Sequence, residues 1–138
     1  MKTVLTLPFP PSVNSLYDGG KNTNRRFTSD RYKRWQEDAY YALLGQRNRN
    51  HRHKEPVQVT YSFTRPDKRA RDVFNYEKAI SDFLVKHGIL ADDSLIECGI
   101  VQWTQGMGGV TVCIVPLVTD CGVAKLPATG EYASTIND

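Results

Sequence analysis

Residues 57–88 read VQVTYSFTRPDKRARDVFNYEKAISDFLVKHG, and the two ends of this stretch follow different periods. Val57, Val59, Tyr61 and Phe63 alternate with polar residues, which is the period of a half-buried strand. From Val73 to His87 the apolar residues return at helical spacing instead. At about 100° per residue, Tyr76, Ile80, Phe83, Leu84 and His87 fall on one packing side, with Asn75, Lys78 and Asp82 opposite. Gly88 is a natural stop just beyond the last turn. The connecting residues 64–71, TRPDKRAR, are basic and contain a proline, so they read as a loop.

Working outward, Lys2 to Leu7 alternates as a strand that Pro8, Pro10 and Pro11 end. Asp18 to Arg26, with Gly19-Gly20, reads as a polar loop. Ser29 can cap a helix running to Leu44, where Tyr32, Trp35, Ala39 and Leu43 form one face and Gly45 ends it. Gln46 to Glu55 is a basic loop. On the other side, Ala91 to Ser94 reads as a turn, and Ile96–Trp103 and Val110–Val115 as two strands joined through Gly106–Gly109 into a C-terminal hairpin. The order β-α-β-α-β-β predicts one α/β (α+β) domain, a mixed sheet with two helices packed on it. We place that domain at residues 1–118. Residues 119–138, poor in large apolar side chains, read as a loosely held tail.

The composition agrees with one globular unit. The chain has 138 residues, 40% hydrophobic and 24% charged, enough apolar content to bury a core. No apolar run approaches the roughly 20 residues of a membrane helix. The apolar stretch before Pro8 is too short for a secretory signal. Cys98, Cys113 and Cys121 form no CxxC pair and read as reduced thiols of a cytoplasmic protein. Charge is divided unevenly. Residues 21–71 hold 14 Lys/Arg against 5 Asp/Glu, whereas residues 72–138 hold 3 against 9. A basic half invites a polyanion. An acidic half repels phosphate unless a divalent cation, held by hard oxygen ligands, stands between them.

The candidate chemistry sits where these halves meet. Asp72 stands at the N-terminal edge of the second helix, and Asp92-Asp93 follow its end. Each has two readings. Asp72 is either a helix N-cap or a metal ligand, and Asp92-Asp93 are either turn residues or ligands. A strand-to-helix junction carrying Asp72 and a loop-to-strand junction carrying Asp93 can meet on one edge of the sheet. With Lys78 nearby, they would form a Mg²⁺ site suited to phosphodiester hydrolysis. His51-x-His53 is a weak metal pattern in an Arg/Asn loop.

At these residues the sequence resembles the RusA family of Holliday-junction resolvases of phages, prophages and bacteria. Leu7-Pro8-Phe9-Pro10-Pro11-Ser12-Val13-Asn14 is similar to that family's opening segment. Arg69-Ala70-Arg71-Asp72-Val73-Phe74-Asn75-Tyr76-Glu77-Lys78 resembles its basic run followed by D-x-D-N-x-x-K, and Asp82-Phe83-Leu84 with Gly88 to Asp93 resembles its close. The resemblance implies a homodimer that is Mg²⁺-dependent, with Mn²⁺ as a substitute. It also implies binding to branched four-way DNA by structure and symmetric nicks that leave 5′-phosphate and 3′-hydroxyl ends. Residue by residue, it implies catalytic roles for Asp72, Lys78 and Asp93, and matches Asn75 to the motif asparagine. Phe74 departs from the pattern, standing where the family has its second aspartate. Glu77, or Asp92, is then expected to supply the missing oxygen beside Asp72 and Asp93. The alternative is a weakened enzyme that only binds junctions. Phe74 reads as a wedge at the junction or as packing against a loop or partner subunit.

For DNA contact, Arg65, Lys68, Arg69 and Arg71 lead into Asp72, and Arg25, Arg26, Lys33 and Arg34 form a second cluster. Tyr32 and Trp35, interleaved with the latter, read as core. Arg47, Arg49, Arg52 and Lys54 are either a third contact or a solvated loop.

Overall fold

The first strand, β1 (Thr3–Leu7), shows directly how alternation becomes a core: Thr3, Leu5 and Leu7 are buried while Val4 and Thr6 are exposed. The computed structural model describes residues 1–18, 27–46, 50–106 and 108–117. The tail 119–138, together with Arg25, Arg26, Arg47, Arg49 and Cys121, lies outside the described residues. Two short strands, β2 (Tyr17–Asp18) and β3 (Phe27–Thr28), pair antiparallel at the base of the stretch expected to be loop. Helix α1 (Asp30–Leu44) starts at Ser29, whose Oγ accepts from the Tyr32 amide at 3.0 Å and donates to the Ser15 carbonyl at 2.7 Å. Its buried face is Tyr32, Trp35, Ala39 and Leu43, as expected. The Gln46 amide then closes the exposed edge of β1, accepting from Thr6 N at 2.8 Å and donating to Thr6 O at 2.7 Å. A side chain thus satisfies backbone groups that an edge strand otherwise leaves open.

Strand β4 (Val57–Thr64) is the centre of the fold, with Val57, Val59, Tyr61 and Phe63 all buried. The second helix is shorter than its periodicity predicts. Residues Val73–Asn75 form a single 3-10 turn, and α2 runs only from Glu77 to Lys86. Asp72 caps that turn, its Oδ1 accepting from the Phe74 amide at 3.0 Å. Tyr76, Ala79, Ile80, Phe83 and Leu84 form the buried face. His87, expected on that face, is half-buried, with its ring 4.4 Å from Phe83 and 5.2 Å from Tyr40. Gly88 takes φ +76°, the left-handed stop that glycine permits.

Strands β5 (Ile96–Thr104) and β6 (Val110–Pro116) complete a four-stranded mixed sheet in the order β1-β6-β4-β5. β5 lies parallel to β4, with α2 in the crossover between them, and β6 is antiparallel to both β1 and β4. This corrects the expected C-terminal hairpin: β5 and β6 do not pair, because β4 lies between them. The connection has to pass the end of β4. It does so on Gly108 and Gly109 at φ +103° and +77°, with the Thr64 amide donating to the Gly109 carbonyl at 2.9 Å. Both helices join the inward side chains of the strands in one core, where Trp35 packs edge-on against Phe83 and donates its indole N–H to the Pro8 carbonyl at 2.9 Å. Among the described residues no helix is long and apolar enough to cross a membrane.

Candidate functional site

The loop from β4 to Asp72 is organised by one carboxylate. Asp67 accepts from Arg71 Nη2 at 2.7 Å and from Arg69 Nε at 3.3 Å. Hydrogen bonds from the Arg71 side chain and the Arg69 backbone hold the Asp67 carboxyl down at about 2, and the same pairing pushes the Arg71 guanidinium up. Arg71 also donates to the Tyr76 hydroxyl at 3.1 Å. Two of the four expected phosphate grips in this loop therefore share a partner within the chain. Lys68 is exposed, and Arg65 lies 4.4 Å over the Trp103 ring.

Three of the concavities around this loop and α2 gather the candidate residues. The first, about 400 Å³, gathers Arg31 and Arg34 from α1 with Arg69 and Arg71 from the loop, against a wall at Pro10-Pro11. The second, about 250 Å³, holds Asp72 and Asn75 and shares Ser12, Arg69, Arg71 and Tyr76 with the first. The third, about 410 Å³, is lined by Glu77, Lys78, Ser81, Asp82 and Asp93, with Tyr61 behind them. Asp93 thus meets Glu77, Lys78 and Asp82 around one cavity, while Asp72 lines the concavity beside the arginines. Lys33 is exposed on α1.

The carboxylates differ in how they are committed. Asp72 realises the capping reading through Oδ1. Asp92 does the same at the next turn, accepting from the Ser94 amide at 2.9 Å, and hydrogen bonds from Ser94 hold its carboxyl below the ordinary aspartate value. Lys78 Nζ stands 3.4 Å from Asp82 Oδ1. Glu77 accepts a hydrogen bond from the Ser81 hydroxyl, which in turn meets the Tyr61 hydroxyl at 2.7 Å. Burial, followed by the charges of Glu77 and Asp93, pushes Tyr61 up to about 12, so its hydroxyl stays protonated. Among the described residues no three His, Cys, Asp or Glu side chains form a ready-made metal cluster.

Phe74 is 71% exposed and does not pack into the chain. His53 is buried, with Nε2 2.7 Å from Thr3 Oγ1 and its backbone bonded to Ile89 and Ala91. It is a packed core histidine, and the His51 ring meets it edge-on at 4.4 Å. Sequence reasoning missed Arg31, Tyr61 and Ser81, and gave Asp82 a place on the polar side of the helix and in the closing segment of the resemblance but no role in the site. The available signal was spacing: Glu77 to Ser81 and Lys78 to Asp82 are both i,i+4 pairs on one helix.

The sequence model of the endodeoxyribonuclease RusA family matches residues 8–115. A search of the curated proteins gives no match. The matched span is well over half of the chain and contains all three concavities. The chain therefore belongs to the RusA endodeoxyribonuclease family, and that membership implies a junction-resolving endonuclease.

Proposed function

We propose that the protein is a Mg²⁺-dependent, structure-selective DNA endonuclease that resolves four-way junctions by paired symmetric nicks, as a homodimer, in DNA recombination and repair. The observation that carries this reading is the meeting of Asp93, Glu77, Asp82 and Lys78 around one cavity, inside the family-matched span that also holds an arginine-lined groove.

The donor chemistry is of the kind the implied ion takes, while among the described residues no three His, Cys, Asp or Glu side chains are gathered into a metal cluster. Carboxylate oxygens line the cavity and its neighbour, and hard oxygen ligands are what Mg²⁺ takes. Asp93 would hold it in that cavity, and Asp72, matched to the family's first motif aspartate, lines a separate concavity. Glu77 is better placed than Asp92 to replace the carboxylate that Phe74 removes, because Glu77 lines the cavity with Asp93 and Asp92 does not. When bound, the ion supplies Lewis-acid stabilisation of charge developing on the scissile phosphate. The chain's own residues do the rest. Arg31, Arg34, Arg69 and Arg71 hold the backbone, and guanidinium forks suit phosphate oxygens. The Lys78 ammonium, steadied by Asp82, offsets charge on the phosphate and orients the attacking water. In-line attack then leaves 5′-phosphate and 3′-hydroxyl ends. Two such sites about a two-fold axis match a four-way substrate.

A second reading is a junction-binding protein with weakened catalysis, and the observation favouring it is Phe74 itself, which offers no oxygen ligand. An end-labelled four-way junction incubated with Mg²⁺ separates the two. We expect nicks in two opposed strands, abolished by EDTA. Tight binding with no nicking at any Mg²⁺ concentration would favour the second reading.

A further inference from the structure

We propose that Tyr61 and Ser81 are positioning residues that present the Glu77 carboxylate to the cavity, so that Glu77 takes over the ligand role Phe74 has removed. The inference rests on the metal-dependent reading above and deepens it. Ser81 has one hydroxyl hydrogen, and it goes to Glu77 Oε2. Its 2.7 Å contact with Tyr61 then has a single polarity, with Tyr61 donating and Ser81 accepting. The donors run in one direction, from the central strand through the helix to the carboxylate. Tyr61 is 2% exposed and Ser81 4%, so packing fixes the relay, and each hydrogen bond polarises the next.

Only one oxygen of Glu77 is engaged by this relay, and the residue lines the same cavity as Asp93. Its side-chain freedom is restricted before any cation arrives. Outer hydrogen bonds of this kind orient ligands at metal sites, and their loss costs about 10–100-fold in metal affinity. A purely structural Ser81 would instead predict lower stability with unchanged cation affinity.

The test uses the full chain without DNA, titrated with Mn²⁺ and followed by electron paramagnetic resonance of the free ion. Ser81→Ala is expected to weaken Mn²⁺ binding by about tenfold or more. Tyr61→Phe is expected to weaken it less, because Ser81 still donates to Glu77. Glu77→Gln should lose at least as much as Ser81→Ala. Junction binding in EDTA should stay unchanged in Ser81→Ala and Tyr61→Phe, which keep the charge of the site, and the melting temperature of the metal-free protein reports folding separately. The double variant Ser81→Ala/Tyr61→Phe removes both hydroxyls and avoids leaving a buried donor unpaired. Wild-type affinity in Ser81→Ala and in the double variant, with Glu77→Gln impaired, overturns the positioning role. Wild-type affinity in Glu77→Gln overturns its role as ligand. Absence of Mn²⁺ binding by the wild-type chain is a separate failure, and overturns the metal-dependent reading itself.

Discussion

Asp67 and Arg71 meet at 2.7 Å, four residues apart, in the loop that delivers the chain to Asp72. Arg71 lines the arginine-rich groove, so a DNA phosphate reaching it competes with the Asp67 carboxylate already bound to it. Asp67→Asn removes that competitor. Affinity for a four-way junction should rise about two- to fivefold at low salt, the scale of an exposed ion pair, and the advantage should shrink as salt is added. Fluorescence anisotropy across a salt series measures it. Weaker binding in the variant would mean that Asp67 pre-orients Arg71 for DNA.

Position 74 offers a gain-of-function test. Phe74 is exposed, so Phe74→Asp should change stability by no more than about 0.5 kcal/mol. It should lower the Mg²⁺ concentration needed for half-maximal nicking. It should also make Glu77 dispensable, so that Phe74→Asp/Glu77→Gln nicks far better than Glu77→Gln alone. Additive behaviour in this double-mutant cycle would show that the two positions do not share a role.

The pH dependence of stability follows from two histidines. Burial lowers the pKa of His53 and of His87 below the ordinary value of 6.5, with His51 adding to the first and Lys86 to the second. Between the folded and unfolded values the unfolded chain binds more protons, so stability rises with pH in that window. The contribution is complete above about 6.5 and is lost as pH falls through the folded values. Melting temperature should therefore drop on going from pH 7.5 to pH 5. His53→Gln, which keeps a polar partner for Thr3, should flatten the drop, and an unchanged slope would remove His53 from the account.

Gly109 shows where the topology is enforced. Its φ is +77°, and a Cβ there would sit 2.3 Å from the Leu7 carbonyl oxygen. Gly109→Ala should cost more than the about 1–3 kcal/mol of the backbone conformation alone, because the added Cβ meets a backbone oxygen. Gly45→Ala, at φ −87° with nothing closer than 3.9 Å, should be tolerated. Urea denaturation of the two variants provides the comparison.

Much of the fold is visible in local patterns, because Val57, Val59, Tyr61 and Phe63 and the α1 face repeat at the periods their elements require. The position of β6 is not visible locally. Val110–Val115 alternates equally well beside β5 or between β1 and β4, and only the distant pairing of Val112 with Leu5 and Tyr61 decides it. The start of α2 was obscured for a different reason: a 3-10 turn over Val73–Asn75, capped by Asp72, stands before α2 begins at Glu77. At the site, Lys78 and Asp93 were readable as chemistry because their side chains are charged. Tyr61 was not, since its ring satisfies the alternation of β4 and hides the use of its hydroxyl. Arg31 was passed over because the basic cluster was sought three residues further along α1, and the cavity needed both turns.

The central claim is that carboxylates from two separated stretches, at Asp72 and Asp93, serve one metal-dependent cutting reaction. The most direct measurement is the rate of Mg²⁺-dependent nicking of a four-way junction by Asp72→Asn and Asp93→Asn, with junction affinity measured on the same preparations. The account predicts that each variant loses at least about a hundredfold in nicking, while both bind the junction as tightly as the wild-type chain. Nicking at the wild-type rate by either variant would contradict it.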